Sequence, residues 1–167
     1  KAPGSLDTSE MFSYQQLEVA RSINRRSAIA AAFNNFQGIA WERGDLKKAL
    51  VYLDSSFKYT DLDKNDIAGT NYYDKADIYI ELKDYVNAAR MADSALFYRI
   101  RDKSPAYLAE SYELIARIGL ETGDYKKAYD YREKALTITD SIRNVKKVKE
   151  VAELEKKYSQ EKNENKI

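Results

Sequence analysis

Three short stretches of this chain, ERGDLKKAL from Glu42, ELKDYVNAA from Glu81 and ETGDYKKAY from Glu121, share one spelling and recur at intervals of 39 and 40 residues. A fixed period of that length constrains the fold more than any other feature. It means similar units stacked in a row, because one such unit cannot bury its apolar face alone. In each stretch a Gly or Lys (Gly44, Lys83, Gly123) is followed by Asp and then by Leu or Tyr. An alanine comes three residues later (Ala49, Ala88, Ala128), and seven further on another small residue (Ser56, Ala95, Ala135). A bulky apolar residue follows at once: Phe57, Leu96 and Leu136. The start of the chain fits the same frame, with Gly4-Ser5-Leu6 standing 40 residues before Gly44-Asp45-Leu46.

Both sides of each turn carry apolar residues at helical spacing, so each unit reads as two antiparallel helices. Gly44 and Gly123 suit the left-handed residue that ends a helix, and Asp45, Asp84 and Asp124 suit the cap of the next. The small residues let neighbouring backbones approach; a leucine at Ala88 or Ala128 would overpack that contact at about 1–3 kcal/mol. Only two prolines and six glycines interrupt 167 residues, which agrees with helices joined by short turns. Pro105 fits a first helical turn, where its missing N–H is no loss. The predicted layout is a half-unit over 1–26, full units over 27–62, 63–101 and 102–140, and a C-terminal capping and linker helix over 141–167.

The composition removes whole classes of chemistry. With no cysteine there are no disulfides or thiolate ligands, and with no histidine the usual general base and commonest metal ligand are gone. Carboxylate pairs such as Asp74 with Asp77, or Glu81 with Asp84, are commonplace on helix surfaces and do not make an active site. No enzyme activity, cofactor or metal is expected. A net charge of +1 with both signs interspersed gives no basic face for nucleic acid. No apolar run is long enough to cross a membrane. The chain opens on KAPGSLDTSE, without a starting methionine or a signal pattern, and so reads as a fragment or a processed product.

The turn-plus-small-residue pattern, clearest in YELIARIGLETGDYKKAYDYREKAL, resembles the tetratricopeptide repeat. That resemblance implies an all-α solenoid, a right-handed superhelix of antiparallel helix pairs ending here in a long helix. Departures are Gln37 at a usually small position, Lys83 at the turn glycine, and a period above the family's usual one. The resemblance also implies that the first helix of each pair lines a concave face binding a protein or peptide. It puts Asn34 and Trp41 on that face in the first unit, Tyr73 and Asp77 in the second, and Glu113 and Arg117 in the third. Asn34 suits a peptide backbone, Trp41 and Tyr73 an aliphatic side chain, and Arg117 a carboxylate. Acidic groups outnumber Arg117 there, which favours a basic or neutral partner.

From Tyr125 to the end no residue stops a helix, and Ile138, Ile142, Val145, Val148, Val151, Leu154 and Tyr158 recur along it. An apolar stripe asks for cover. Residues 138–148 are expected to cap the last repeat, and Val151, Leu154 and Tyr158 to pair with the same helix of a second copy. The tail is also similar to the junction of Bacteroidetes-type tetratricopeptide sensors, through Asp140, Ser141, Glu153, Leu154, Glu155, Tyr158, Glu161 and Lys162. In those proteins a periplasmic array is followed by a membrane span and a histidine kinase or regulator domain. The similarity implies a periplasmic sensor segment of an inner-membrane protein, with the membrane met only outside this chain. The alternative is a free-standing soluble, cytoplasmic adaptor.

Overall fold

The computed structural model describes residues 5–61 and 65–164, with side chains for 6–61 and 67–156. These residues form helices α1 (Ser5–Ser22), α2 (Arg26–Glu42), α3 (Leu46–Phe57), α4 (Asn65–Glu81), α5 (Tyr85–Asp102), α6 (Pro105–Thr122) and α7 (Tyr125–Glu164). Helix α1 packs on α2, and the pairs α2/α3, α4/α5 and α6/α7 form three antiparallel hairpins stacked in chain order.

The recurring turns work as their spelling implies. The carboxylates of Asp45, Asp84 and Asp124 each accept a hydrogen bond from the backbone N–H three residues on, at 3.0, 3.1 and 3.0 Å. Gly44 and Gly123 sit at φ 77°, and Lys83, in their place, is held at φ 59°. Inside the hairpins Ala49, Ser56, Ala88, Ala95 and Ala135 are fully buried, and Ala128 almost so. Gly119 shows how closely α6 and α7 approach: a Cβ there would lie 2.9 Å from the Ala128 backbone nitrogen.

Apolar clusters bind each hairpin to the next helix. Ala49 and Leu53 of α3 pack with Ala40 and with Ile78 of α4. Ala88 and Ala92 of α5 pack with Leu114, Ile115 and Ile118 of α6. The same positions meet the same neighbours in both units.

The tail departs from its expected capping role. Helix α7 runs straight out of the third hairpin, and past Asp140 its described side chains are all exposed, including Ile142, Val145, Val148, Val151 and Leu154. Residues 141–148 therefore do not cover the repeat end. With no Gly or Pro between Tyr125 and Glu164 to turn the chain, and with an ion pair from Arg143 to Asp140 at 3.3 Å, the helix simply continues. The side chain of Tyr158 lies outside the described residues.

Candidate functional site: an open groove at the third hairpin

The six residues expected on the concave face divide into two sets. Asn34 and Trp41 belong to the first hairpin and serve largely as structure. The Asn34 amide donates to Asn71 Oδ1 at 2.8 Å, and Asn71, fully buried, donates to Ser56 Oγ at 2.9 Å and Thr60 Oγ1 at 3.3 Å. Trp41, half-buried, packs against the Ala40–Ala49–Leu53–Ile78 cluster. Asn34 also borders an open groove of about 600 Å³ between α1 and α2, with Phe12, Gln16, Gly38 and Glu42.

Tyr73, Asp77, Glu113 and Arg117 come together around the third hairpin. Asp77 of α4 forms an ion pair with Arg117 of α6, and Glu113 of α6 with Arg132 of α7. Arg117, expected to meet a partner's carboxylate, is instead paired with Asp77 of the neighbouring unit. With Asp77 and Glu113 matched, the charge argument for a basic or neutral partner over an acidic one loses its basis.

Between these two ion pairs lies a groove of about 590 Å³, to which α4 contributes Tyr73, α6 contributes Leu114, Ala116 and Leu120, and α7 contributes Tyr125, Ala128 and Tyr129. Leu120, Tyr125 and Tyr129 are mostly exposed, at 58%, 71% and 68%. Burial raises the Tyr73 phenol above its ordinary pKa. Apolar walls with charges neutralised at the rim suit an apolar side chain or a helix face.

The repeat register explains why this surface is open. Tyr125, Tyr129 and Arg132 occupy the positions of Leu46, Leu50 and Leu53 in the first unit, and of Tyr85, Ala89 and Ala92 in the second. In the first unit α4 covers those positions and in the second α6 does, so that Leu53 and Ala92 are no more than 1% exposed. The third hairpin has no helix over it among the described residues. Reading the sequence for a concave face missed Tyr125, Tyr129 and Arg132, although aligning α7 with α3 and α5 singles them out.

A tetratricopeptide repeat family model matches residues 109–141, which span most of α6 and the start of α7. The fold is a tetratricopeptide solenoid. A crystal structure of BtubC (BKLC) from P. vanneervenii is similar to it with a TM-score of 0.74 and 19% identity, over 84% of this chain and 59% of that one. This chain thus spans about three-fifths of the length of that relative. The N-terminal domain of stress-induced protein-1 (STI-1) from C. elegans is similar with a TM-score of 0.60 and 22% identity, over 77% of this chain and 98% of that domain. No curated protein sequence matches the chain. At these identities the tetratricopeptide likeness is one of fold.

Proposed function

We propose that this chain is a non-enzymatic tetratricopeptide interaction module whose recognition surface is the groove between α6 and α7. The observation that carries this reading is the exposure of Leu120, Tyr125 and Tyr129 at positions that a helix covers in the other hairpins. The fitting partner is a protein or peptide segment presenting an apolar helical face, because such a face already fills the matching surface twice in the array.

Display of random helical peptides against the full chain tests this. Enriched peptides should carry apolar residues at spacings of three and four, and should be lost with Leu120→Asp or Tyr129→Asp variants of unchanged helical signal. Enrichment insensitive to both variants, or no enrichment, would count against it.

A second reading places the module as the extracytoplasmic sensor of a membrane-anchored kinase or regulator. It is supported by the tail's likeness to sensor junctions and by a helix that continues unbroken from the third hairpin to Glu164. Sequencing the parent gene beyond Ile167 tests it: a membrane span followed by an output domain is the expected result. A stop codon within a few residues would leave the adaptor.

A further inference from the structure

We infer that the groove on the third hairpin receives residues 145–158 of α7 from a second copy of this chain, in an antiparallel exchange centred near Arg143 and Asn144. This rests on the groove reading above and names its occupant.

The first argument is the period. Helices α2, α4 and α6 begin at Arg26, Asn65 and Pro105. The next step of 40 residues falls on Val145, and Asn144, a good capping residue, then stands where Ser104 precedes α6. Residues 145–162 thus occupy the sequence position of a fourth first helix.

The second argument is the pattern on that segment. Val148 corresponds to Leu108 of α6 and Ala68 of α4, Val151 to Ser111 and Asn71, and Leu154 to Leu114 and Asp74. Ala68, Asn71 and Ser111 are fully buried and Leu114 nearly so, whereas Val148, Val151 and Leu154 are 70%, 54% and 64% exposed. At 100° per residue those three valine and leucine side chains lie within a sector of about 120°, the width of a docking face. The full stripe from Ile142 behaves differently. It advances only in threes to Leu154, so it winds about 240° round the helix. A parallel coiled coil needs a seam of period 3.5, which the run from Ile142 to Leu154 does not supply and only Val151, Leu154 and Tyr158, at steps of three and four, approach.

The third argument decides which copy supplies the segment. Helix α7 is continuous through Asn144, braced on either side by Asp140–Arg143 at 3.3 Å and Lys146–Glu150 at 3.9 Å. A straight α7 carries its tail away from its own groove. Across the α5/α6 joint between the second and third hairpins, Ala92 shares a cluster with Ile115. The same register, moved on by one unit, sets Arg132 against Glu155, Leu136 against Val151 and Asp140 against Lys147. These pairs are symmetric about residues 143 and 144. Two straight α7 helices lying antiparallel there would make every pair twice and fill both grooves, which is an exchange of one identical element between protomers. Leu136 and Val151, 48% and 54% exposed in the single chain, would be covered together.

The exchange sends the two tails in opposite directions, whereas a membrane-anchored dimer needs them on one side. Cysteine crosslinking of the full chain separates these arrangements, since no native cysteine interferes. Mild oxidation of the L136C/V151C double variant should give a disulfide-linked dimer that neither single variant gives. Light scattering of the unmodified chain should show about twice the 19.2 kDa of one copy at high concentration. A monomer held by an intramolecular disulfide would mean the tail folds back on its own groove, which overturns the exchange and leaves the groove reading intact. Self-linking of Leu154→Cys alone would establish parallel tails and overturn it as well. A monomeric mass with no disulfide would do the same, and peptide display would still judge the groove by itself.

Discussion

The joint between the first and second hairpins and the joint between the second and third are built at the same positions of the repeat from opposite chemistry. At the first, Thr60 and Asn71 meet through neutral hydrogen bonds, extended by Asn34 and Ser56. At the second the matching residues are Arg99 and Ser111. The Arg99 guanidinium, 3% exposed, lies 4.3 Å from the ring centre of Tyr73 and 5.1 Å from that of Tyr107. It donates to the Tyr107 carbonyl and to Glu110, both at 3.0 Å. Gly69 makes room, since a Cβ there would stand 3.0 Å from Arg99 Cγ. A repeat frame therefore dictates where a polar lock sits and leaves its chemistry free. One lock is indifferent to pH, and the other has a charged group at its centre.

Removing each lock should break the comparison most sharply. Arg99→Ala takes away two ring contacts and a buried guanidinium and leaves a cavity, a loss of about 3 kcal/mol. Asn71→Ala takes the partner from the Ser56 hydroxyl and the Asn34 amide, while Thr60 keeps its bond to the Ser56 carbonyl at 2.9 Å, and should lose about 2 kcal/mol, the cost of unpaired buried hydroxyl and amide groups. Urea denaturation followed by circular dichroism measures both. Because the two locks share no hydrogen-bond partner, the two losses should nearly add in the double variant. Equal losses with strong non-additivity would mean the joints are not independent.

The sequence made the repeat, the turns and their caps legible because they are local: a left-handed residue, a capping Asp and a small contact residue are each fixed within a few positions. It did not reveal the locks. Nothing near Arg99 distinguishes it from a solvated arginine, and its burial depends on Tyr73, Tyr107 and Gly69 from other helices. The site was half legible. Tyr73, Asp77, Glu113 and Arg117 do gather, but pairing of Arg117 with Asp77 and of Glu113 with Arg132 depends on how units stack. The tail reads as a cap in the sequence, yet Ile142, Val145 and Val148 stand exposed, because an apolar stripe announces that cover is needed and not where the cover lies.

The third test sharpens the charge difference. Asp74, on α4 near Arg99 and Glu110, has its carboxyl pushed up from 3.8 to about 6, chiefly by burial, with the Glu110 charge adding and the Arg99 charge opposing. The folded chain therefore binds more protons than the unfolded one between those values. Stability should fall as pH rises from about 4 to about 6, and the loss is complete above that range. Asp74→Asn should flatten this slope and raise stability at neutral pH by about 1–2 kcal/mol, less than the full shift because the group is not wholly enclosed. In an Arg99→Ala background the opposing positive charge is gone, so the Asp74→Asn gain should grow. A pH slope unchanged by Asp74→Asn would remove titration from the second joint and leave the two locks alike in that respect.

The smallest effect is expected at a turn inside the second unit, which lies between the joints and touches neither lock. Lys83 adopts φ 59° where the flanking units use glycine at φ 77°. Its backbone N–H still reaches the Ile80 carbonyl at 2.9 Å and that of Asp84 the Tyr79 carbonyl at 2.9 Å, so the helix end is satisfied and only the Cβ is strained. A left-handed residue bearing a side chain costs about 1–2 kcal/mol, and a glycine gives back part of that gain through its freer unfolded chain. Lys83→Gly should therefore stabilise the fold by about 0.5–1 kcal/mol. Since the turn holds no group that feeds either lock, the gain should be the same at pH 4 and at pH 7. A gain that varied with pH would tie the turn to the Arg99 joint, and would mean that the second unit transmits strain from its turn to its charged end.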